Sequence, residues 1–152
     1  MKPPPNRTVI AGVKKKVAQI EKAIYPTLKD TFFKFEDVIK QIITQDQLYK
    51  EGIDGKGKSL GSYAESTKKV KITKKQPIDR VTLKDTGVFY FSIDVIANDT
   101  NLVIESYLSY AENLVTRYGI DILSIQEFQM KDFIDIFYKE QMKTEINKII
   151  EK

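Results

Sequence analysis

The chain has 152 residues, 41% hydrophobic and 30% charged, which suits one ordinary domain with a modest core and does not suit a disordered chain. It has no cysteine and no histidine, which excludes a disulfide framework, Cys-based zinc sites, Ser-His-Asp triads and most transition-metal sites. The net charge of +4 is unevenly placed: Lys50 to Asp85 holds ten Lys/Arg against five Asp/Glu, a net +5, while the other 15 Lys/Arg and 16 Asp/Glu sum to −1.

In chain order, residues 1–7 read as a short extended arm, because Pro3-Pro4-Pro5 favours an open backbone. Thr8 is placed to cap a first helix over roughly 8–24. Its apolar stripe is Ile10, Val13, Val17, Ile20 and Ile24, at alternating steps of three and four. Lys14, Lys15, Lys16 and Lys22 fall mostly off that stripe and read as solvated. Tyr25-Pro26 is expected to break the helix. Thr27-x-x-Asp30 has the form of a capping box and is expected to open a second one. Leu28, Phe32, Phe35, Ile39 and Ile42 make its stripe, widened by Phe33, Val38 and Ile43. It should reach about Tyr49 and stop at Gly52.

Residues 52–86 read as a long basic loop, extended or irregular. Five of the seven glycines lie between Gly52 and Gly87, and Pro77 adds a further barrier to a long helix. A weak alternation in Thr67–Thr73, with Val70 and Ile72 on one face, fits a short strand. Val88 to Ile96 is the clearest strand pattern, with Phe89, Phe91, Ile93 and Val95 on one face. Ala97-Asn98-Asp99-Thr100-Asn101 is turn chemistry, and Leu102 to Glu105 returns as the second strand of a hairpin. Ser109-x-x-Glu112 caps a helix containing Ala111, Leu114, Val115 and Tyr118, and Gly119 ends it. Ser124-x-x-Glu127 caps a terminal helix over roughly 125–151. The fold class that follows is α+β in a single domain, 1–152: N-terminal helices, a long loop, a small antiparallel β-hairpin and C-terminal helices.

No apolar run approaches the ~20 residues of a membrane span, and the N-terminus lacks a signal-peptide core. The expectation is a chain that stays in the cytoplasm, unless carried out in a larger particle, with no membrane partner. Gly52-x-x-x-x-Gly57-Lys58-Ser59 formally matches a phosphate-binding loop, with Lys58 and Ser59 as its working residues. That motif needs a strand before it and a helix after it. Here a helical pattern precedes it and Leu60-Gly61-Ser62-Tyr63 starts no clear helix, so no nucleotide cofactor is expected. Asp54-Gly55-Lys56-Gly57 fails as a calcium loop, because lysines stand where oxygen ligands are needed. Lys68, Lys69, Lys71, Lys74 and Lys75 are candidates for contact with a neighbouring subunit or with DNA phosphate; solvated loop lysines are their plainer reading. Base stacking has little to draw on, with Tyr63 the one nearby aromatic.

Several pieces occur in an order worth reading together: Tyr63, Thr67-Lys68, Leu83-Lys84-Asp85-Thr86-Gly87, Ser92-Ile93, Leu102-Val103-Ile104, Tyr110-Ala111 and Gly119. In this order the chain resembles phage neck and tail-completion proteins, the group of head–tail connectors, minor tail and virion morphogenesis components. The resemblance spans roughly Gly52 to Lys152. A His between the Tyr-Ala step and the Gly is replaced here by Leu114 and Val115. A Pro-Arg segment before the last helix is replaced by Ile120 to Ile125. In its low-His, Lys/Ile/Tyr-rich style the chain is similar to proteins of phages of gut Bacteroidetes, including the crAss-like group. The resemblance implies a non-enzymatic virion structural protein that forms a homo-oligomeric ring between portal and tail. Its implied partners are other copies of itself, other neck, portal or tail proteins, and packaged DNA by nonspecific contact. Its implied location is the virion neck or tail, after assembly in the host cytoplasm. The implied turn residues are Thr86, Gly87, Tyr110 and Gly119, and the 52–86 loop becomes an assembly loop. The alternative is a nucleic-acid-binding accessory protein that uses the basic 50–85 segment.

Overall fold

The computed structural model of the protein describes residues 7–98 and 101–152. The expected arm therefore lies outside the described residues except for Arg7, and so do Asp99 and Thr100 of the hairpin turn. Helix α1 (Arg7–Lys34) begins one residue before the expected start at Thr8. Its 28 residues give it a length of ~42 Å.

Pro26 does not break α1. A proline inside a helix costs about 3 kcal/mol, chiefly a lost hydrogen bond and a clash one turn back. The cost is offset by tertiary packing of the following turns: Thr27, Thr31 and Phe32 are buried. Thr27 opens no second helix either. Its carbonyl accepts a 2.6 Å bond from Thr31 Oγ1 within α1. The break falls at Phe35 (φ −118°, ψ 24°), and α2 (Glu36–Gln41) starts there. The chain continues without interruption as wider, π-type turns over Ile42–Glu51, and ends as expected at Gly52, whose φ is +64°.

The 52–86 stretch is not irregular throughout. It contains α3 (Glu65–Thr73) where the alternation of Val70 and Ile72 suggested a strand. The strand expected over 88–96 is also shorter. Val88–Phe91 forms a single helical turn, α4, after Gly87, and β1 (Ile93–Ala97) follows. Phe91 accordingly leaves the face shared by Phe89, Ile93 and Val95; it is 82% exposed while the other three are buried. β1 pairs antiparallel with β2 (Leu102–Ser106) in the register Ile93↔Ser106, Val95↔Ile104, Ala97↔Leu102.

Helix α5 (Ala111–Tyr118) ends at Gly119, followed by a 3-10 turn, Ile120–Leu123. Neither expected capping box forms: Tyr110 and Gln126 are the cap positions, with no side-chain cap bond at either. Ser124 Oγ donates instead to Asp121 O at 2.8 Å. The last helix runs as α6 (Glu127–Phe133), π-type turns (Ile134–Tyr138) and α7 (Lys139–Glu151).

The architecture is α+β: helices around a two-stranded antiparallel sheet. α7 packs antiparallel on α1, since Tyr138 reaches Ile24 O while Lys16 reaches Ile150 O. The inner face of the hairpin packs on α1 and α2. One core cluster joins Phe32, Ile39, Ile43, Leu48, Phe89, Ile93, Ile122 and Phe133. Phe32 and Phe133 stack at 5.6 Å with nearly parallel rings. Each fully buried side chain of this kind contributes about 1.5–3 kcal/mol. Among the described residues no helix is long and apolar enough to cross a membrane.

Candidate functional site

The glycine-rich loop after Gly52 closes on itself. Ile53 and Ser59 form a bridge, and buried Asp54 sits inside the turn. Asp54 Oδ1 accepts from the backbone N–H of Lys56 and of Lys58, both at 2.9 Å. Four further donors are also taken: Ile53 N by Gln47 O, Asp54 N by Lys58 O, Gly55 N by Asp121 O and Gly57 N by Asp54 O. A phosphate cradle needs such N–H groups free and aimed at the anion. Here an internal carboxylate occupies the centre, and it would repel phosphate. Ser59 Oγ is engaged as well, accepting from Gly61 N at 3.1 Å.

This loop is fastened to the start of the C-terminal helix. Gly55 lies so close to Ser124 that a Cβ there would sit 2.0 Å from Ser124 Oγ. Lys56 pairs with Asp121 at 2.9 Å, and that hydrogen bond holds the Lys56 ammonium above its ordinary range. Beside the fastening runs an open groove of about 1070 Å³, with Ile125, Phe128, Met130 and Ile134 among its lining.

The second half of the segment is organised around Thr82. Tyr63 Oη accepts from Thr82 N at 2.9 Å and shares a 3.1 Å bond with Thr82 Oγ1. Tyr90 Oη donates to Thr82 O. Burial pushes the Tyr90 phenol well above its ordinary value. These bonds hold the chain where Leu83 adopts φ +56°, a conformation costly for a bulky non-glycine residue.

The five candidate lysines are not equivalent. Lys71 is only 5% exposed; its Nζ donates to Gln76 Oε1 at 2.8 Å and to Lys84 O, and lies 5.2 Å from the centre of the Tyr63 ring. It is an internal brace, not a surface contact, which corrects its sequence reading. Lys68 pairs with Glu65 at 2.7 Å, and Lys74 pairs with Asp85. The Lys74 hydrogen bond holds the Asp85 carboxyl below the usual range. Lys69 and Lys75 are exposed with no ion pair among the described residues.

Across the whole basic stretch, Lys50, Lys56 and Arg80 are also paired, with Asp46, Asp121 and Asp79. Lys84 lies over the Tyr49 ring at 4.6 Å. Five of the ten cations are thus ion-paired, but only Asp46 and Asp121 come from outside the stretch, so most of the +5 excess stays. Lys58, Lys69, Lys71, Lys75 and Lys84 have no ion pair among the described residues, Lys71 and Lys84 being held by the contacts above.

The turn residues occupy helix ends. Gly87 (φ +94°) precedes α4, and Thr86 Oγ1 accepts weakly from Val88 N at 3.4 Å. Exposed Tyr110 opens α5 and Gly119 (φ +94°) closes it. They are not gathered into one site. Sequence reasoning missed Gln47, Asp54, Thr82 and Tyr90, the polar residues that fix the segment. Nothing in their spacing marks them; only the fold brings them to their partners.

Among the described residues no group of three or more His, Cys, Asp or Glu side chains is placed to hold a metal ion. What the arrangement does offer is exposed apolar surface on several faces, with Phe33 77%, Phe91 82% and Tyr107 70% exposed. Comparison with protein-family models, with curated proteins and with solved structures found no match.

Proposed function

We propose that the chain is a structural subunit of a tailed-phage virion, forming a ring in the head–tail connector or tail-completion layer. The observation that carries this reading is the spread of exposed large apolar side chains over separate faces. Phe33 is on α1, Phe91 is the last residue of α4, Tyr107 follows β2, and Phe128 and Ile136 lie on the last helix. Single exposed apolar residues are ordinary on a protein surface; the ring reading gives these, set on separate faces, neighbours to meet. A ring subunit meets a neighbour on each side and layers above and below, and its heterologous contacts use different patches on the two sides. The ordered resemblance from Tyr63 to Gly119 supports the same reading.

On this reading the 52–86 segment is an assembly element. It is held by Thr82, Asp54 and Gly55 against the body, which would present α3 and the Phe91 side to a neighbour in a fixed pose. The protein then has no catalytic role, and its partners are other copies and the adjacent portal, neck or tail proteins. Light scattering on the purified chain, alone and with portal protein, tests this. A defined oligomer or a portal complex is expected; a monomer that binds neither itself nor the portal contradicts it.

A further inference from the structure

We infer that the exposed N-terminal half of α1 in one copy docks on the outer face of the β1–β2 hairpin in the next copy. This rests on the ring reading and names the two surfaces that meet.

Val9, Val13 and Val17 recur every fourth residue, so they form one straight stripe along α1. Val9 and Val13 are 59% and 57% exposed. Lys16 Nζ bonds Ile150 O at 2.6 Å, next to the end of α7 at Glu151, so α7 ends beside this part of α1. Between Val9 and Val17 the helix carries three lysines, Lys14, Lys15 and Lys16, and no acid. By helical geometry Lys14 and Lys16 border the stripe on its two sides. Two such stripes facing each other would oppose lysine to lysine, which disfavours a symmetric α1–α1 contact.

The hairpin's outer face has the complementary character. Ile96 and Val103 are directly paired across the strands, both exposed. The next pair on that face is Asp94↔Glu105. Like charges opposite one another destabilise a sheet. Lys40 relieves Asp94 at 3.2 Å, but Glu105 has no ion pair among the described residues. An apolar pair beside an unrelieved carboxylate is the match for an apolar stripe bordered by lysines.

The two surfaces cannot meet within one copy. The turn end of the hairpin sits beside Tyr25 and Lys29 of α1, where Asn98, Asn101 and Leu102 line a small cavity with them. Val17 and Val9 lie ~12 and ~24 Å further along the helix axis, and the hairpin turns its inner face to α1. A contact between them joins different copies head to tail, the kind that closes into a ring.

The absence of cysteine makes the test clean. Val13→Cys and Val103→Cys are prepared separately and together, and treated with a short bismaleimide linker. Both positions are exposed, so folding should be retained, which circular dichroism checks. The expected result is a cross-linked dimer when the two single variants are mixed, none from either alone, and a ladder from the double variant. Cross-linking of Val13→Cys to itself would overturn the proposal in favour of a symmetric pair. An oligomer by light scattering with no Val13–Val103 cross-link overturns this contact and leaves the ring reading standing. A monomer at every concentration, with or without portal protein, and no cross-link overturns both. That last result would leave Asp94 and Glu105 as charges that merely keep a sheet face solvated.

Discussion

Gln47 and Ser124 are 77 residues apart in sequence, yet Gln47 Nε2 donates to the Ser124 carbonyl at 2.9 Å. The other end of the same amide, Oε1, accepts from Gln126 N at 2.8 Å. Gln47 is fully buried. It therefore fastens the end of the second helical run to the start of the last one, α6. It also satisfies two backbone groups that would otherwise be orphaned beside a helix terminus.

Replacing Gln47 by Leu keeps much of its volume and removes both bonds. The expected cost is about 2–4 kcal/mol, from two backbone groups left without partners in a buried site. Urea unfolding should show a lower midpoint with little change in slope. An unchanged midpoint would mean that water replaces the amide without penalty.

Gly55 and Gly61 separate two reasons for glycine. At Gly55 an added Cβ meets Ser124 Oγ at 2.0 Å and Ser124 O at 2.7 Å, so the loop must lift away. At Gly61 there is open space and only a positive φ of +91°. Gly55→Ala should cost about 1–3 kcal/mol through overpacking, and weaken the Lys56–Asp121 pair. Gly61→Ala should cost about 1 kcal/mol, for the left-handed backbone alone. Amide exchange at Gly55, whose N–H donates to Asp121 O at 2.9 Å, would speed up only in the former.

The fold class was legible because it depends on period and turn chemistry, which are local. The Leu102–Glu105 return, the stop at Gly52 and the end of α5 at Gly119 all follow from residue types within a few positions. The failures share another cause. Pro26 forbids one hydrogen bond, but burial of Thr27, Thr31 and Phe32 keeps the helix going. Thr67–Thr73 becomes a helix, turning Lys71 inward toward the Tyr63 ring, Gln76 and Lys84 O. Val88–Phe91 alternates by composition, yet Gly87 and the Ser92 Oγ bond to Phe89 O (2.7 Å) accompany a helical turn. At Pro26 tertiary burial outweighed a local signal, whereas at Thr67–Thr73 and Val88–Phe91 the contacts are near in sequence and a short alternation was too weak a signal to exclude a helical turn. The candidate site was less legible still. A charge count cannot tell a lysine that meets solvent from one that meets its neighbour's carboxylate.

Tyr90 gives a pH dependence with a definite sign. Burial raises its folded-state pKa above the unfolded phenol, which titrates near 10. Its contribution is fully present below that unfolded value. It declines as pH rises beyond it, because the unfolded chain loses the proton while the folded one keeps it. Stability should therefore fall from pH ~10 upward by as much as about 1.4 kcal/mol per unit from this group. Tyr90→Phe should remove that component of the slope, while lowering stability at neutral pH by about 1–3 kcal/mol through the unpaired Thr82 carbonyl. Chemical denaturation at pH 8 and pH 10.5 on both proteins checks the difference.

Lys71 and Lys69 should behave oppositely. Lys71→Met removes a buried brace and leaves Lys84 O and Gln76 short of a donor, costing about 1–3 kcal/mol. Lys69→Ala is expected to stay within about 0.5 kcal/mol. In the nucleic-acid reading, low-salt DNA binding would depend on Lys58, Lys69 and Lys75. Its salt slope would fall by about 0.9 for each phosphate contact removed. Filter binding over a salt series on the triple alanine variant measures this; no change in slope removes these lysines from any DNA contact.

The most direct test of assembly is the mass of particles formed by the purified chain, read by light scattering across concentration with and without portal protein. The ring reading predicts a discrete multiple of the 17.5 kDa chain that persists on dilution or forms on the portal. A mass of one chain under every condition, portal included, would contradict it.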